Sequence, residues 1–249
     1  MSIGSDRIHD ALIVGSGAAG GAAAFHLAAA GHDVVVLERD TELRIKPCGG
    51  GMAASVQQWF PFSLEPAVEQ VIRQVDFSWC LNDPVIAELP GEAPFWIVRR
   101  ELLDQLLSEQ AIQAGVERIN GVDVEDVPRQ GDVWTVTSTD QRQWRGRSVV
   151  IADGSQSPWP QRLGLGAKQP QKATTMSVRL KGQGKLSDGT TRFEFGLVKQ
   201  GFAWAFPLAG GVNIGVGSFI GKQDADPEQV LAQLLPDLGF AADAGIRQR

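Results

Sequence analysis

The sequence predicts an α/β fold, a doubly wound sheet joined to a second, mostly antiparallel β region. Three observations carry the prediction. The first forty residues read as strand, glycine turn, helix and strand. A strongly amphipathic stretch, "RELLDQLLSEQAIQAG", closes at Gly115 and leads into further strands. From Ala173 to Phe219 strand signals succeed one another without a helix, which favours antiparallel pairing.

The first element is the buried apolar run "ALIV". It ends in "GSGAAG", a GxGxxG at Gly15, Gly17 and Gly20, and an Ala/Leu-rich helix continues to Ala30. "DVVVLE" is the next buried strand and ends in Glu38, 23 residues after Gly15. Gly15 lets the chain turn sharply, Gly17 lets a pyrophosphate approach the backbone, and Gly20 lets the helix sit close to the sheet. The helix N-terminus offers free N–H groups and a positive dipole end to phosphate. An acidic side chain at this distance can accept from both ribose hydroxyls and would repel a 2′-phosphate, so the Rossmann-like unit should take FAD or NAD rather than NADP.

"KPCGGG" (Lys46 to Gly51) follows, and three residues without side chains let the backbone lie against a flat group. "ASVQQWF" reads as a short helix and "PAVEQVIRQV" as a longer one. "VDFSWCL", "VIAEL" and "FWIVRR" read as strands. After the amphipathic helix come "VERI", "GVDVEDV" and "DVWTVTS", with a hairpin turn at "PRQGD". "QWRGRSVVIADG" then ends in Asp153-Gly154. The last strands are "TMSVRL", "TRFEFGLV", "FAWAF" and "VNIGVG", and "DPEQVLAQLLPDL" is a final helix capped by Asp226. The expected division is a nucleotide-binding domain from residues 1–70 and 100–165, with 221–249 returning to it. A β-rich region comes from residues 71–99 and 166–220.

Bulk properties exclude several classes. With 249 residues, 43% of them hydrophobic and 21% charged, the chain should bury a globular core. A net charge of -6 argues against a nucleic-acid partner. The two cysteines, Cys48 and Cys80, lie far apart, and His9, His26 and His32 are scattered. No disulfide framework or metal site is expected, and a reducing, cytoplasmic location is. The apolar segment from Ala11 to Ala30 could pass for a leader or a membrane span, but its glycines and the nearby Asp6 and Asp10 speak against both.

Four motifs stand in order: the glycine fingerprint with Glu38-Arg39, KPCGGG, "VRRELLDQLL" around Arg100, and "VIADGSQSPWPQRLGL". This order resembles the FAD-dependent aromatic-hydroxylase-like superfamily. Within it, KPCGGG and "GFAWAFPLAGGVNIGVG" resemble the geranylgeranyl reductase family, which saturates isoprenoid double bonds in chlorophyll and tocopherol precursors or prenyl lipids. The resemblance implies that Gly15, Gly17, Ala18, Ala19 and Gly20 hold the FAD pyrophosphate and that Glu38 binds the adenosine ribose. It places Arg39 along the adenine, the Val124 backbone at the adenine, and Arg100 at the phosphate or ribityl region. Asp153-Gly154 would turn near the pyrophosphate, and Cys48, Gly49 and Gly50 would lie by the isoalloxazine. Cys48 is the candidate catalytic side chain, with acid, steric gate and structural roles all open.

The family's aromatic motif, YxWxFP followed by GxG, reads here Phe202, Trp204, Phe206, Pro207, then Gly215 and Gly217. Phe202 stands in place of tyrosine and removes a hydroxyl. Alternation puts the three aromatic residues on one strand face, either as a wall for an apolar chain or as ordinary sheet core. The resemblance implies a prenyl-lipid or prenylated-pigment substrate, peripheral membrane contact, and NADPH as a transient electron donor, since no second dinucleotide fingerprint exists. A GDAAG-like FAD motif expected further on is not found in residues 220–249, so a C-terminally truncated member is expected. Two other readings stay open: an FAD monooxygenase or halogenase, and a non-catalytic remnant that binds a nucleotide or lipid.

Overall fold

The computed structural model describes residues 7–42, 46–92, 94–167, 173–218 and 226–248. Asp6, the end of the strand-rich stretch at Phe219 and residues 221–225 of the C-terminal stretch lie outside these. The chain forms two units, Met1–Arg44 with Glu101–Lys168, and Ile45–Arg100 with Gln169–Arg249.

The first unit is built on β1 (Ile8–Val14), α1 (Ala18–Ala29) and β2 (Val34–Glu38), a strand–helix–strand crossover. β1 pairs in parallel with β2 and with a later strand, Gln143–Ile151; β2 pairs in parallel with Glu117–Asn120. Both faces of such strands are covered, so β1 and β2 are near-continuous aliphatic runs in which Leu12, Ile13, Val35 and Leu37 are buried. Val133–Ser138 joins Gln143–Ile151 antiparallel and carries Arg129–Gln130 and Val124–Asp126 on its outer side, making a mixed seven-stranded sheet. Trp159, in the short helix Trp159–Arg162, closes the core against Leu12, Val14 and Val136. The amphipathic pattern forms the helix Arg100–Gln113, with Leu103, Leu107 and Ala111 buried.

The second unit contains two sheets. A six-stranded sheet runs Thr174–Lys181, Gly211–Ser218, Gly201–Leu208, Thr190–Phe195, Gln74–Trp79, Asn82–Glu88, all antiparallel except the pair Thr190–Phe195 with Gln74–Trp79. A three-stranded antiparallel sheet runs Gly51–Ala53, Phe95–Val98, Val68–Ile72. The helix Pro227–Asp237 opens with the Asp226 side chain accepting from the Glu228 N–H, and packs Val230, Leu231, Leu234 and Leu235 onto Met176, Val178, Ile214 and Val216.

The fold is thus α/β, a Rossmann-like sheet plus a mostly antiparallel second sheet. Two local expectations need correcting. "PAVEQVIRQV" is not a helix: a single 3-10 turn at Glu65–Ala67 gives way to the strand Val68–Ile72 and then Gln74–Trp79. Its valines sit at helical spacing, but Val68–Ile72 finds its partner in Phe95–Val98, and that tertiary pairing overrides the local period. Residues 46–70 and the helix Pro227–Asp237, assigned by sequence to the nucleotide-binding domain, lie in the second unit, where the helix covers the six-stranded sheet. Among the described residues no helix is long and apolar enough to cross a membrane.

Candidate functional site

In the first unit, Val14, Leu37 and Ile151 lie side by side at the C-terminal ends of their strands, so the glycine turn, Glu38 and Asp153 emerge at one sheet edge. That edge is where ligands bind in open α/β sheets. Gly15 has φ +95, and a Cβ there would lie 2.6 Å from the Ala152 carbonyl oxygen. The fingerprint and the start of the Asp153-Gly154 turn therefore lie in close contact. Gly17 precedes α1 in extended conformation and supplies no side-chain cap, and no acidic residue occupies the first turn. Ala18 is half-buried and Ala19 exposed, so the positive end of a twelve-residue helix opens to solvent.

Glu38 is held rigidly. Its Oε2 accepts from the Ser16 N–H at 2.6 Å and the Ser16 hydroxyl at 2.8 Å, and its Oε1 accepts from the Asp40 N–H at 2.9 Å. Ser16, a variable position of the fingerprint, thus orients the acidic residue, a role spacing alone does not reveal. Glu38→Gln would turn an amide NH2 toward one of these donors. It is expected to cost about 1–3 kcal/mol, read as a lower urea midpoint; an unchanged midpoint would show that the carboxylate is not anchored this way. Arg39 is exposed beside Asp40, with Nε–Oδ1 at 3.6 Å. Val124 is half-buried and packs on the Leu12–Trp159 core.

In the second unit the glycine triplet has a packing reason. A Cβ on Gly49 would lie 2.8 Å from the Phe206 ring and 3.0 Å from Trp204 Nε1, and one on Gly51 would lie 2.7 Å from Phe95. Gly50, at φ +84, has the Val98 carbonyl oxygen 2.2 Å from where its Cβ would stand. Gly49 and Gly51 thus pass close against the protein's own aromatic cluster. Arg100 Nη1 donates to Cys48 Sγ at 3.5 Å. The Cys48 carbonyl accepts from Asn213 Nδ2 at 3.1 Å, and Asn213 Oδ1 accepts from Trp204 Nε1 at 3.0 Å.

Phe202, Trp204 and Phe206 do share a face, opposite Ala203 and Ala205, which pack beneath the last helix. Trp204 and Phe206 are buried against Ile72 and Ile97, while Phe202 is half-buried. Gly215 is the cross-strand partner of Trp204, and a Cβ there would lie 2.2 Å from the indole; a Cβ on Gly217 would lie 3.5 Å from the same ring. The GxG thus leaves room for the tryptophan. Pro207, also buried, lies beyond the ladder that Gly201–Leu208 makes with Thr190–Phe195, where its missing N–H costs no bond. From Phe202 the aromatic surface extends through Phe193 at 5.3 Å and Phe195 at 6.0 Å to the exposed Phe77 and Trp79 on the strand Gln74–Trp79. Nothing in the sequence joins Phe193 and Phe195 to Phe77 and Trp79, because they lie on two neighbouring strands, Thr190–Phe195 and Gln74–Trp79, that are distant in sequence.

A model of the pyridine nucleotide-disulphide oxidoreductase family matches residues 9–178. A probable electron transfer flavoprotein-quinone oxidoreductase of Escherichia coli K12 is 31% identical over 172 residues, covering 65% of this chain and 40% of that protein. A menaquinone reductase of Mycobacterium tuberculosis H37Rv is 31% identical over 230 residues, covering 86% and 56%. The chain spans about half the length of these curated relatives. Among solved structures, a geranylgeranyl bacteriochlorophyll reductase-like protein of Thermoplasma acidophilum shares the fold with a TM-score of 0.82 at 20% identity, covering 97% of this chain and 65% of that one. Halogenase PltM, solved with phloroglucinol and FAD, shares it at 0.73 and 16% identity, covering 97% and 59%. With the family model spanning well over half of its residues, the chain belongs to the pyridine nucleotide-disulphide oxidoreductase family, and so to the FAD-dependent oxidoreductases.

Proposed function

We propose that the chain is part of an FAD-dependent reductase of the geranylgeranyl reductase type, acting on the double bonds of an isoprenoid chain. The residues of the first unit fit the ADP portion of FAD. The Gly15 turn has no room for a side chain, the first turn of α1 presents uncapped N–H groups, and Glu38 is held as an acceptor for ribose hydroxyls. On this reading Gly15, Gly17, Ala18, Ala19, Gly20, Asp153 and Gly154 surround the pyrophosphate. Arg39 and Val124 flank the adenine, and Arg100 with the Cys48–Gly50 backbone serves the flavin portion. FAD supplies the hydride equivalent, and the protein supplies orientation and an apolar surround.

The observation that carries the substrate class is the aromatic face of the six-stranded sheet. Phe202, Phe193, Phe195 and Phe77 form a continuous, partly exposed surface, with the exposed Trp79 beside Phe195 on the neighbouring strand, and this surface suits a long chain with no polar group. The similarity to a menaquinone reductase, whose named substrate carries an isoprenoid chain, supports the same class. Such a substrate resides in lipid, so peripheral membrane contact belongs to the reading; NADPH, visiting transiently, would be its electron donor.

The test is direct. Purified protein incubated with FAD and passed through a desalting column should retain a visible flavin spectrum. After anaerobic reduction it should return a prenyl substrate with added hydrogen, detected by mass spectrometry. A protein that stays colourless sinks the cofactor assignment. An oxygen-dependent, hydroxylated or halogenated product would sink the reductase assignment.

A further inference from the structure

We propose that Asn213 is a positioning residue: it sets the orientation of the Cys48–Gly49 peptide and thereby aims the Gly49 N–H at the flavin ring. The inference rests on the FAD reading above for its final step alone. Asn213 is 1% exposed and lies in the strand Gly211–Ser218, on the face that meets Trp204 and opposite the one where Val212, Ile214 and Val216 pack under the last helix. An amide in such a place is costly unless both of its ends are used. Both are. Its Oδ1 accepts from the Trp204 indole at 3.0 Å and its Nδ2 donates to the Cys48 carbonyl at 3.1 Å. An indole can only donate and a carbonyl can only accept, so the amide has one workable orientation. Aspartate would present two acceptors, one of them to the carbonyl. Leucine would fill the same volume without holding anything.

The consequence lies in the peptide that Asn213 grips. Among the described residues there is no cis peptide bond. In a trans peptide the C=O and the following N–H point in opposite directions. With the Cys48 carbonyl drawn toward Asn213, the Gly49 N–H is turned away from it. That N–H donates to no acceptor among the described residues. The peptide has little freedom to rotate back, because Gly49 lies against the Phe206 and Trp204 rings and Gly50 is seated on the Val98 carbonyl. The loop therefore presents one backbone donor in a direction fixed from within the core. A donor placed at the ring stabilises the electron-rich reduced flavin more than the oxidised form.

Asn213→Asp and Asn213→Leu, each in a Cys80→Ser background so that Cys48 is the sole thiol, test both halves. Without FAD, release of the Cys48 carbonyl should speed alkylation of Cys48 by a small maleimide about tenfold, the equivalent of one net hydrogen bond. With FAD, the reduced form should lose about tenfold in affinity relative to the oxidised form, a fall in midpoint potential of about 30 mV. Two variants of opposite polarity guard against misfolding in one of them. Alkylation at the parent rate in both variants, with only a lower melting temperature, overturns the positioning role. Faster alkylation with an unchanged potential overturns the assignment of Gly49 as the donor. A parent protein that takes up no FAD defeats the FAD reading and with it the flavin half, while the alkylation rates still decide whether Asn213 holds the loop.

Discussion

Gly20→Ala is expected to abolish tight FAD binding and to destabilise the first unit. A Cβ at residue 20 would stand 1.9 Å from the Gly15 carbonyl oxygen and 2.9 Å from its carbon. Both are backbone atoms, and Gly15 is itself held by its N–H bond to the Leu37 carbonyl at 2.8 Å and by close contact with Ala152. Neither side can yield by a change of rotamer, so the start of α1 must lift off the sheet edge. Overpacking of this kind costs about 1–3 kcal/mol. The larger effect falls on the ligand. The uncapped N–H groups of the first turn would no longer point where a pyrophosphate meets the glycine turn, and each hydrogen bond to the charged phosphate lost in this way costs about 1.5–3 kcal/mol, tenfold or more in affinity. Titration with FAD followed by flavin fluorescence reads the affinity, and urea denaturation reads the stability. Binding as tight as in the parent would show that α1 does not hold the phosphates.

Arg192→Met is expected to lower stability by about 3–5 kcal/mol, the range for removing one partner of a buried ion pair. Arg192 is 13% exposed and Glu194 is fully buried. The guanidinium donates to Glu194 Oε2 at 3.0 Å, to Asp237 Oδ2 at 2.8 Å and to the Ser78 hydroxyl at 3.0 Å. Glu194 also accepts from the Ser78 hydroxyl and, at 2.8 Å, from the Leu81 N–H. Methionine would fill much of the volume but leave a carboxylate in the interior without its cation. It would also release Asp237, an acidic residue at the C-terminal end of the last helix that the helix dipole disfavours there. The urea midpoint should fall steeply for Arg192→Met and recover substantially in Arg192→Met/Glu194→Leu, which removes both charges. If the double variant is no more stable than the single one, the loss comes from packing rather than from an uncompensated charge.

These two predictions mark the line between what was legible and what was not. The clash at Gly20 concerns residues five apart, in a motif whose geometry is local, and the strand–turn–helix–strand around it was readable from apolar runs and glycine spacing. The network around Arg192 joins residues from two sheet strands, the turn after the first of them and the end of a helix. Nothing in "TRFEFGLV" marks Arg192 and Glu194 as partners rather than as the solvated side of a strand. The same holds for Asn213. A polar residue inside "GVNIGVG" could have been flagged as unusual, but its partners, Trp204 and the Cys48 carbonyl, were out of sequence range.

KPCGGG falls on both sides of that line. Its glycines signal that the backbone must pass close to something, and the sequence alone determined that much, together with the crossover unit, the acidic residue after the second strand and the run of antiparallel strands. What the glycines approach was decided by the tertiary structure: Phe206 of the six-stranded sheet, and Phe95 and the Val98 carbonyl, the latter two brought there by pairing among Gly51–Ala53, Phe95–Val98 and Val68–Ile72. The strand Val68–Ile72 was settled the same way, since a five-residue segment with helical spacing takes whichever conformation its neighbours can hydrogen-bond. The physical reason is one of range. Backbone preference and hydrophobic period act over a few residues and are written in the chain, whereas the partner of a buried polar group, or of a residue without a side chain, is chosen by packing across the fold.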